Sequence, residues 1–237
     1  PSCYVAGLQS RLALVSLKIA NFSLQYGNCE ITSGGYVNYS FVGGVITGDY
    51  EQAYRFGKVG MALARRYENR SVESWCSFLC GCGTLIWRAP LAECRPYLEQ
   101  AVRLGVESGN IASASYAASY IVTDAFFSGV GLDRVRALYE EYAPFLQRSN
   151  PAIHLFCELR TQSFRALAGV HALDDDAFVR TYGSSSFFMA VYKFGKLLVA
   201  YLSDDVARAT LVADEALADA PRLLAGTFKA PDTWFYA

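Results

Sequence analysis

Apolar positions recur in this chain at steps of three and four, and the steps themselves repeat. Tyr50, Leu91 and Leu132 follow one another at a single constant interval, and Ala53, Cys94 and Val135 keep the same one. The register continues through Phe56/Tyr97/Leu138, Gly57/Leu98/Tyr139, Gly60/Ala101/Tyr142, Leu63/Leu104/Phe145 and Ala64/Gly105/Leu146, with mostly Glu, Gln, Arg and Lys between them. Such spacing marks one stripe of an α-helix, and a fixed period of about 40 residues marks one supersecondary unit repeated. These positions are therefore expected to pack repeat against repeat. No run alternates polar and apolar residues between tight turns, so strands are not expected.

The pattern predicts helices over 7–26, with Leu8, Leu12, Val15, Ile19 and Phe22 on the core side, and then over 35–46, 50–67, 71–87, 91–107, 111–127, 132–147 and 154–167. Gly27-Asn28, Arg88-Ala89-Pro90, Ser108-Gly109-Asn110 and Ser128-Gly129-Val130-Gly131 separate them, and Asn150-Pro151 opens the last. Beyond it the period loosens into helices over 177–182, 187–202 and 206–217, the last capped by Asp204-Asp205. Pro96 and Pro144 fall inside predicted helices, where a kink or a late start is expected. The expected fold is all-α: a right-handed α-solenoid of stacked antiparallel helical hairpins, about eleven helices in one region over 1–237, regular over about 34–169 and looser over 170–237. Pro1 is no initiator, and Thr233–Ala237 stops within the first turn of another helix, so both ends read as cut.

Composition narrows the possibilities. Hydrophobic residues make up 53% of the 237, enough for a core. Charge is balanced, 21 basic residues against 22 acidic, which removes the electrostatic case for nucleic acid. Seven cysteines, three of them at Cys76, Cys80 and Cys82 in one apolar segment, read as reduced thiols of a cytoplasmic chain. The most apolar segments carry Lys193 and Lys196, or Asp124, so no membrane span is expected.

Candidate chemistry is sparse. Cys76 and Cys80 share a helix face but Cys82 does not, which leaves a tetrahedral metal site incomplete and favours packed thiols. Cys157 and His154 are neighbours on a helix, yet nothing orients the imidazole. Asp174-Asp175-Asp176 reads as a solvated helix start, since calcium loops need alternating ligands and a glycine. Arg65, Arg66 and Arg70 fit a helix C-terminus better than a phosphate site. Gly57-Lys58-Val59 is no phosphate loop, and no kinase catalytic string appears. No catalytic, cofactor or metal residue is assigned.

The unit Gly48-Asp49-Tyr50-Glu51-Gln52-Ala53 resembles the hairpin turn of a tetratricopeptide repeat, with a longer period. Four strings, the first leading into Tyr36–Tyr39, occur in a telling order: Phe22–Asn28, Gly48–Gly57, Trp87–Leu91 and Gly105–Asn110. Together they resemble the helical-repeat segment of large multidomain signalling proteins that combine a serine/threonine kinase, an AAA-type ATP-binding module, a GAF domain and a sensor histidine kinase. The resemblance implies a non-catalytic, cytoplasmic segment that contacts neighbouring domains of its own polypeptide or protein partners, with a homodimer arising through the parent protein. It implies no cofactor in this segment, no nucleic acid and no membrane. An effector-sensing repeat domain of an ATP-dependent transcription activator is the competing expectation.

Overall fold

The computed structural model describes residues 9–167, 175–224, 227 and 229–236. Among them are twelve α-helices and no strand: α1 (Gln9–Tyr26), α2 (Thr32–Thr47), α3 (Tyr50–Arg66), α4 (Arg70–Leu79), α5 (Leu91–Ser108), α6 (Ile111–Phe127), α7 (Leu132–Ser149), α8 (Pro151–Leu167), α9 (Asp175–Tyr182), α10 (Ser186–Leu202), α11 (Val206–Leu223) and α12 (Lys229–Tyr236). The count exceeds eleven because α12 is a full helix where the sequence offered only a first turn. Expectations that rest on Leu8 or Asp174 lie outside the described residues. Two compact units are present, Ser10–Leu155 and a second that comprises Phe156–Ala237.

In the first unit consecutive helices from α2 to α7 pack on one another, and two pairs of alternate helices also meet. Helix α2 meets α3 and α4, and α4 meets α5 and α6. The turns explain the tight return. Gly48 ends α2 in the left-handed conformation, at φ 73°, with its N–H donating to the Gly44 carbonyl, and Asp49 caps α3 by accepting from the Gln52 N–H. Helices α3, α5 and α7 are amphipathic, whereas α6 carries twelve buried residues and no polar face.

Two expectations need correction. The 71–87 helix is not continuous: α4 ends at Leu79, the chain widens into a π-helical turn over Cys80–Thr84, and a 3₁₀ turn closes it over Leu85–Trp87. Gly81 and Gly83 allow this, since a Cβ on Gly83 would sit 2.0 Å from the Phe41 ring and one on Gly81 2.9 Å from Leu98 Cδ2. Pro96 and Pro144 cause no late start, because α5 and α7 begin at Leu91 and Leu132 and run through them.

The second correction concerns α1, whose predicted core stripe is buried only in part. Ala13, Ser16, Ala20 and Ser23 turn inward and Leu12 and Ile19 are half-buried, while Val15 is 52% and Phe22 58% exposed. Ile19 meets α2 where glycine leaves room for it, its Cγ2 2.2 Å from the place a Cβ on Gly35 would take.

In the second unit α10 and α11 form a hairpin around Leu197, Val212, Ala213 and Ala216, with Lys193 Nζ 3.2 Å from Asp219 Oδ2. Helix α11 runs to Leu223 rather than Leu217, through Pro221. Helix α9 packs on α10 by stacking Phe178 on Tyr192 at 4.4 Å, and α12 lies against α10 and α11.

Candidate functional site

The repeat-register residues fall on one face of each of α3, α5 and α7. On α3, Ala53 and Gly60 are buried, while Tyr50 and Phe56 are half-buried. Tyr50 tilts onto Trp87 at 4.9 Å, and Phe56 meets Tyr39 edge-on at 4.6 Å and Tyr36 at 5.9 Å. Gly60 marks the α2/α3 crossing: a Cβ there would lie 2.4 Å from Val37 Cγ2 and 2.8 Å from the Ser33 carbonyl oxygen. On α5, Cys94 and Ala101 are wholly buried, Tyr97 is half-buried, and Leu91 lines a small cavity. On α7, Val135 and Leu138 are buried and Tyr142 is half-buried, whereas Leu132, in the first turn, is 36% exposed.

Sequence reasoning missed a second register with the same period. Asn28, Asn69 and Asn110 are separated by the interval that separates Tyr50, Leu91 and Leu132, and Asn150 falls a single position short of the next step. Three of them cap helices: the side-chain oxygens of Asn69, Asn110 and Asn150 accept from the N–H groups of Val72, Ser113 and Ile153. Two also reach back to the preceding repeat. The Asn110 amide donates to the Ser71 carbonyl at 2.9 Å, and that of Asn69 donates to Glu30 Oε2 at 3.1 Å. The Asn28 carbonyl receives the Tyr67 hydroxyl at 2.8 Å. Asn69 and Asn110 thus serve both their own helices and a neighbour. The signal was present in the sequence, but a search for apolar stripes passes over it.

Buried hydroxyls pin the same junctions. Ser74 Oγ lies 2.8 Å from both the Ala101 carbonyl oxygen and Ser113 Oγ, joining α4, α5 and α6. Ser40 Oγ is 2.8 Å from Thr84 Oγ1, which ties α2 to the π-helical turn. Nearer the surface Glu107 receives Arg70 at 3.0 Å and Arg103 at 3.3 Å, and Arg65 lies 3.7 Å from Glu73. These groups border a polar cleft of about 330 Å³ in which arginine and glutamate neutralise one another.

Cys76, Cys80, Cys82, Cys94 and Cys157 are buried free thiols, and Cys29 is exposed. Burial pushes the Cys76 and Cys157 thiols up to about 12, the reverse of what a nucleophile or metal ligand needs. Among the described residues no group of three or more His, Cys, Asp and Glu side chains could hold a metal ion. His154 stacks on Tyr139 at 6.3 Å, with Nε2 3.4 Å from the phenol oxygen. Asp176 is exposed in the first turn of α9. A cavity of about 90 Å³ lies between α5 and α6, lined by Leu91, Arg95, Leu98, Ile121 and Asp124 among others. Among the described residues no helix is long and apolar enough to cross a membrane.

No protein-family model matches this chain, and neither a curated protein nor a solved structure shows significant similarity to it. The geometry of the chain itself therefore carries the functional argument.

Proposed function

We propose that this chain is a helical-repeat interaction scaffold with no chemistry of its own, its hairpins stacked in a right-handed solenoid. One observation carries the reading: the polar side chains that recur with the repeat are spent on joining helix to helix. Asn69 and Asn110 bridge successive repeats, Ser74 pins three helices, and the buried thiols are held protonated. A surface built this way presents rigid helical faces at fixed spacing, which suits protein–protein contact.

The wider setting rests on the order of the four strings Phe22–Asn28, Gly48–Gly57, Trp87–Leu91 and Gly105–Asn110. In that reading the chain links an ATP-binding module to a sensory GAF and histidine-kinase module of a multidomain signalling kinase. It would transmit a change from one to the other by rigid packing against both. Pull-down of AAA-type and GAF modules by this chain, with and without nucleotide, tests the proposal. Nucleotide-dependent capture supports it, and the absence of any contact with either module overturns it.

A further inference from the structure

Apolar exposure is unevenly distributed. Among the described residues, one concentration is α1 and the turn after it, with Leu14, Val15, Leu17, Phe22, Leu24, Tyr26 and Ile31. The other is the edge formed by the end of α10 and α12, where Tyr201, Leu202, Trp234 and Phe235 are exposed, the last two at 64% and 71%. This edge is continuous, since the Tyr201 and Phe235 rings lie 6.3 Å apart. Patches of this kind on a folded surface mark contact sites.

The exposed side of α1 has the form of a helix-docking seam. Val15, Phe22 and Tyr26 are exposed at steps of seven and four along one side of the helix, a stripe that rises about 17 Å from end to end. Because Ala13, Ser16, Ala20 and Ser23 turn inward and Ile19 lies against Gly35, these three large side chains remain for a second contact.

Charge selects the occupant. Helix α1 carries Arg11 and Lys18, both exposed, and no acidic residue. Two α1 faces brought together would oppose like charges. The end of α10 is of opposite sign: Asp204 and Asp205 are exposed immediately beyond Leu202, against one exposed cation nearby in the sequence, Arg208. We propose that the outer face of α1 in one copy of this chain docks on the α10/α12 edge of the next, head to tail. Such a contact joins two different patches, so every copy offers both sides of it. The inference does not depend on the kinase setting above, because it concerns the surface of this chain alone.

Sedimentation velocity of the full chain over a rising concentration series is the test. The wild type is expected to associate as its concentration rises. Phe22→Glu and Phe235→Glu should each weaken association at least about 100-fold, the scale of an anchor residue lost from an interface centre. Both side chains are exposed, so each variant should melt as the wild type does; Val15→Glu is a second α1 variant should Phe22→Glu misfold. Mixing the two blocked variants is decisive, since each retains one intact face: a one-to-one heterodimer that grows no further is expected. A wild type that stays monomeric overturns the proposal. So does a dimer indifferent to Phe235→Glu, or a mixture that does not pair.

Discussion

Replacing Gly60 by alanine adds one methyl group where α2 and α3 cross. That methyl would stand 2.4 Å from Val37 Cγ2, 2.8 Å from the Ser33 carbonyl oxygen and 3.1 Å from the Val37 nitrogen. A valine methyl can turn away, but two of the three obstacles are backbone, so the helices must separate by several tenths of an ångström. Overpacking of this kind costs about 1–3 kcal/mol, and the backbone contacts place this case toward the upper end. Alanine in place of glycine returns about 1 kcal/mol of helix preference. The net expectation is a loss of about 2 kcal/mol, which for a chain of this size lowers Tm by about 4–8 °C. Gly34→Ala in the same helix pair is the control: nothing lies within 4 Å of the added methyl, so the same chemical change should stabilise by about 0.5–1 kcal/mol. Thermal melts followed by tryptophan fluorescence in a Trp234→Phe background report on Trp75 and Trp87, both in the first unit. If Gly60→Ala melts at or above the parent, or the two variants shift alike, the close crossing of α2 and α3 is wrong.

Further expectations concern the asparagine register and the buried thiols. Asn110→Ala removes both a cap and the bond to the Ser71 carbonyl and should cost about 1–2 kcal/mol in urea unfolding, whereas Asn110→Asp keeps the cap and should lose less. Alkylation at mild alkaline pH should modify Cys29 readily while Cys76, Cys80, Cys82, Cys94 and Cys157 react only in denaturant; rapid labelling of any of the five would refute their burial. Cys76 and Cys157 are held near 12 in the folded chain against 9.0 for the free thiol, so the folded state keeps protons that the unfolded state gives up. Their contribution to stability is therefore complete below about pH 9 and lost as pH rises toward 12, a slope that Cys76→Ala with Cys157→Ala should flatten.

Much of the helical layout is legible in the sequence because its breakers are local. Glycine follows the last turn of α2 and α5, proline precedes α5 and opens α8, and the apolar stripes of α3, α5 and α7 agree with one another across repeats. Where the reading failed, the competing influence was tertiary. In α1 the stripe Leu12, Val15, Ile19 and Phe22 was taken for the core face on size alone, yet only Leu12 and Ile19 are half-buried, Ile19 over Gly35, and the alanine and serine side is buried in place of Val15 and Phe22. In α4 the segment Cys80–Thr84 keeps a helical pattern, and only the Phe41 ring over Gly83 explains why the backbone widens there. The asparagine register lies outside any apolar pattern, and its second role, bonding to the preceding repeat, requires coordinates.

The two kinds of buried hydroxyl in this chain lead to opposite expectations for one substitution. Within α6, Ser119 donates to the Tyr116 carbonyl three residues back at 2.8 Å, a bond made inside its own helix. Alanine at 119 removes donor and need together, and the Tyr116 carbonyl still belongs to the helix ladder. Ser119→Ala should therefore fall within about 0.5 kcal/mol of the wild type. Ser74 differs because its partners lie on other helices, Ala101 on α5 and Ser113 on α6, all of them buried. Ser74→Ala leaves the Ser113 hydroxyl short of a partner in a dry site and loosens a three-helix junction, which should cost about 1–3 kcal/mol. Restoring the balance by Ser74→Ala with Ser113→Ala should recover part of that loss, since both ends of the broken bond are then gone. Urea unfolding of the three variants measures the coupling between them. Equal losses for Ser74→Ala and Ser119→Ala would mean that the serines merely fill space, and that the repeats are joined by apolar contact alone.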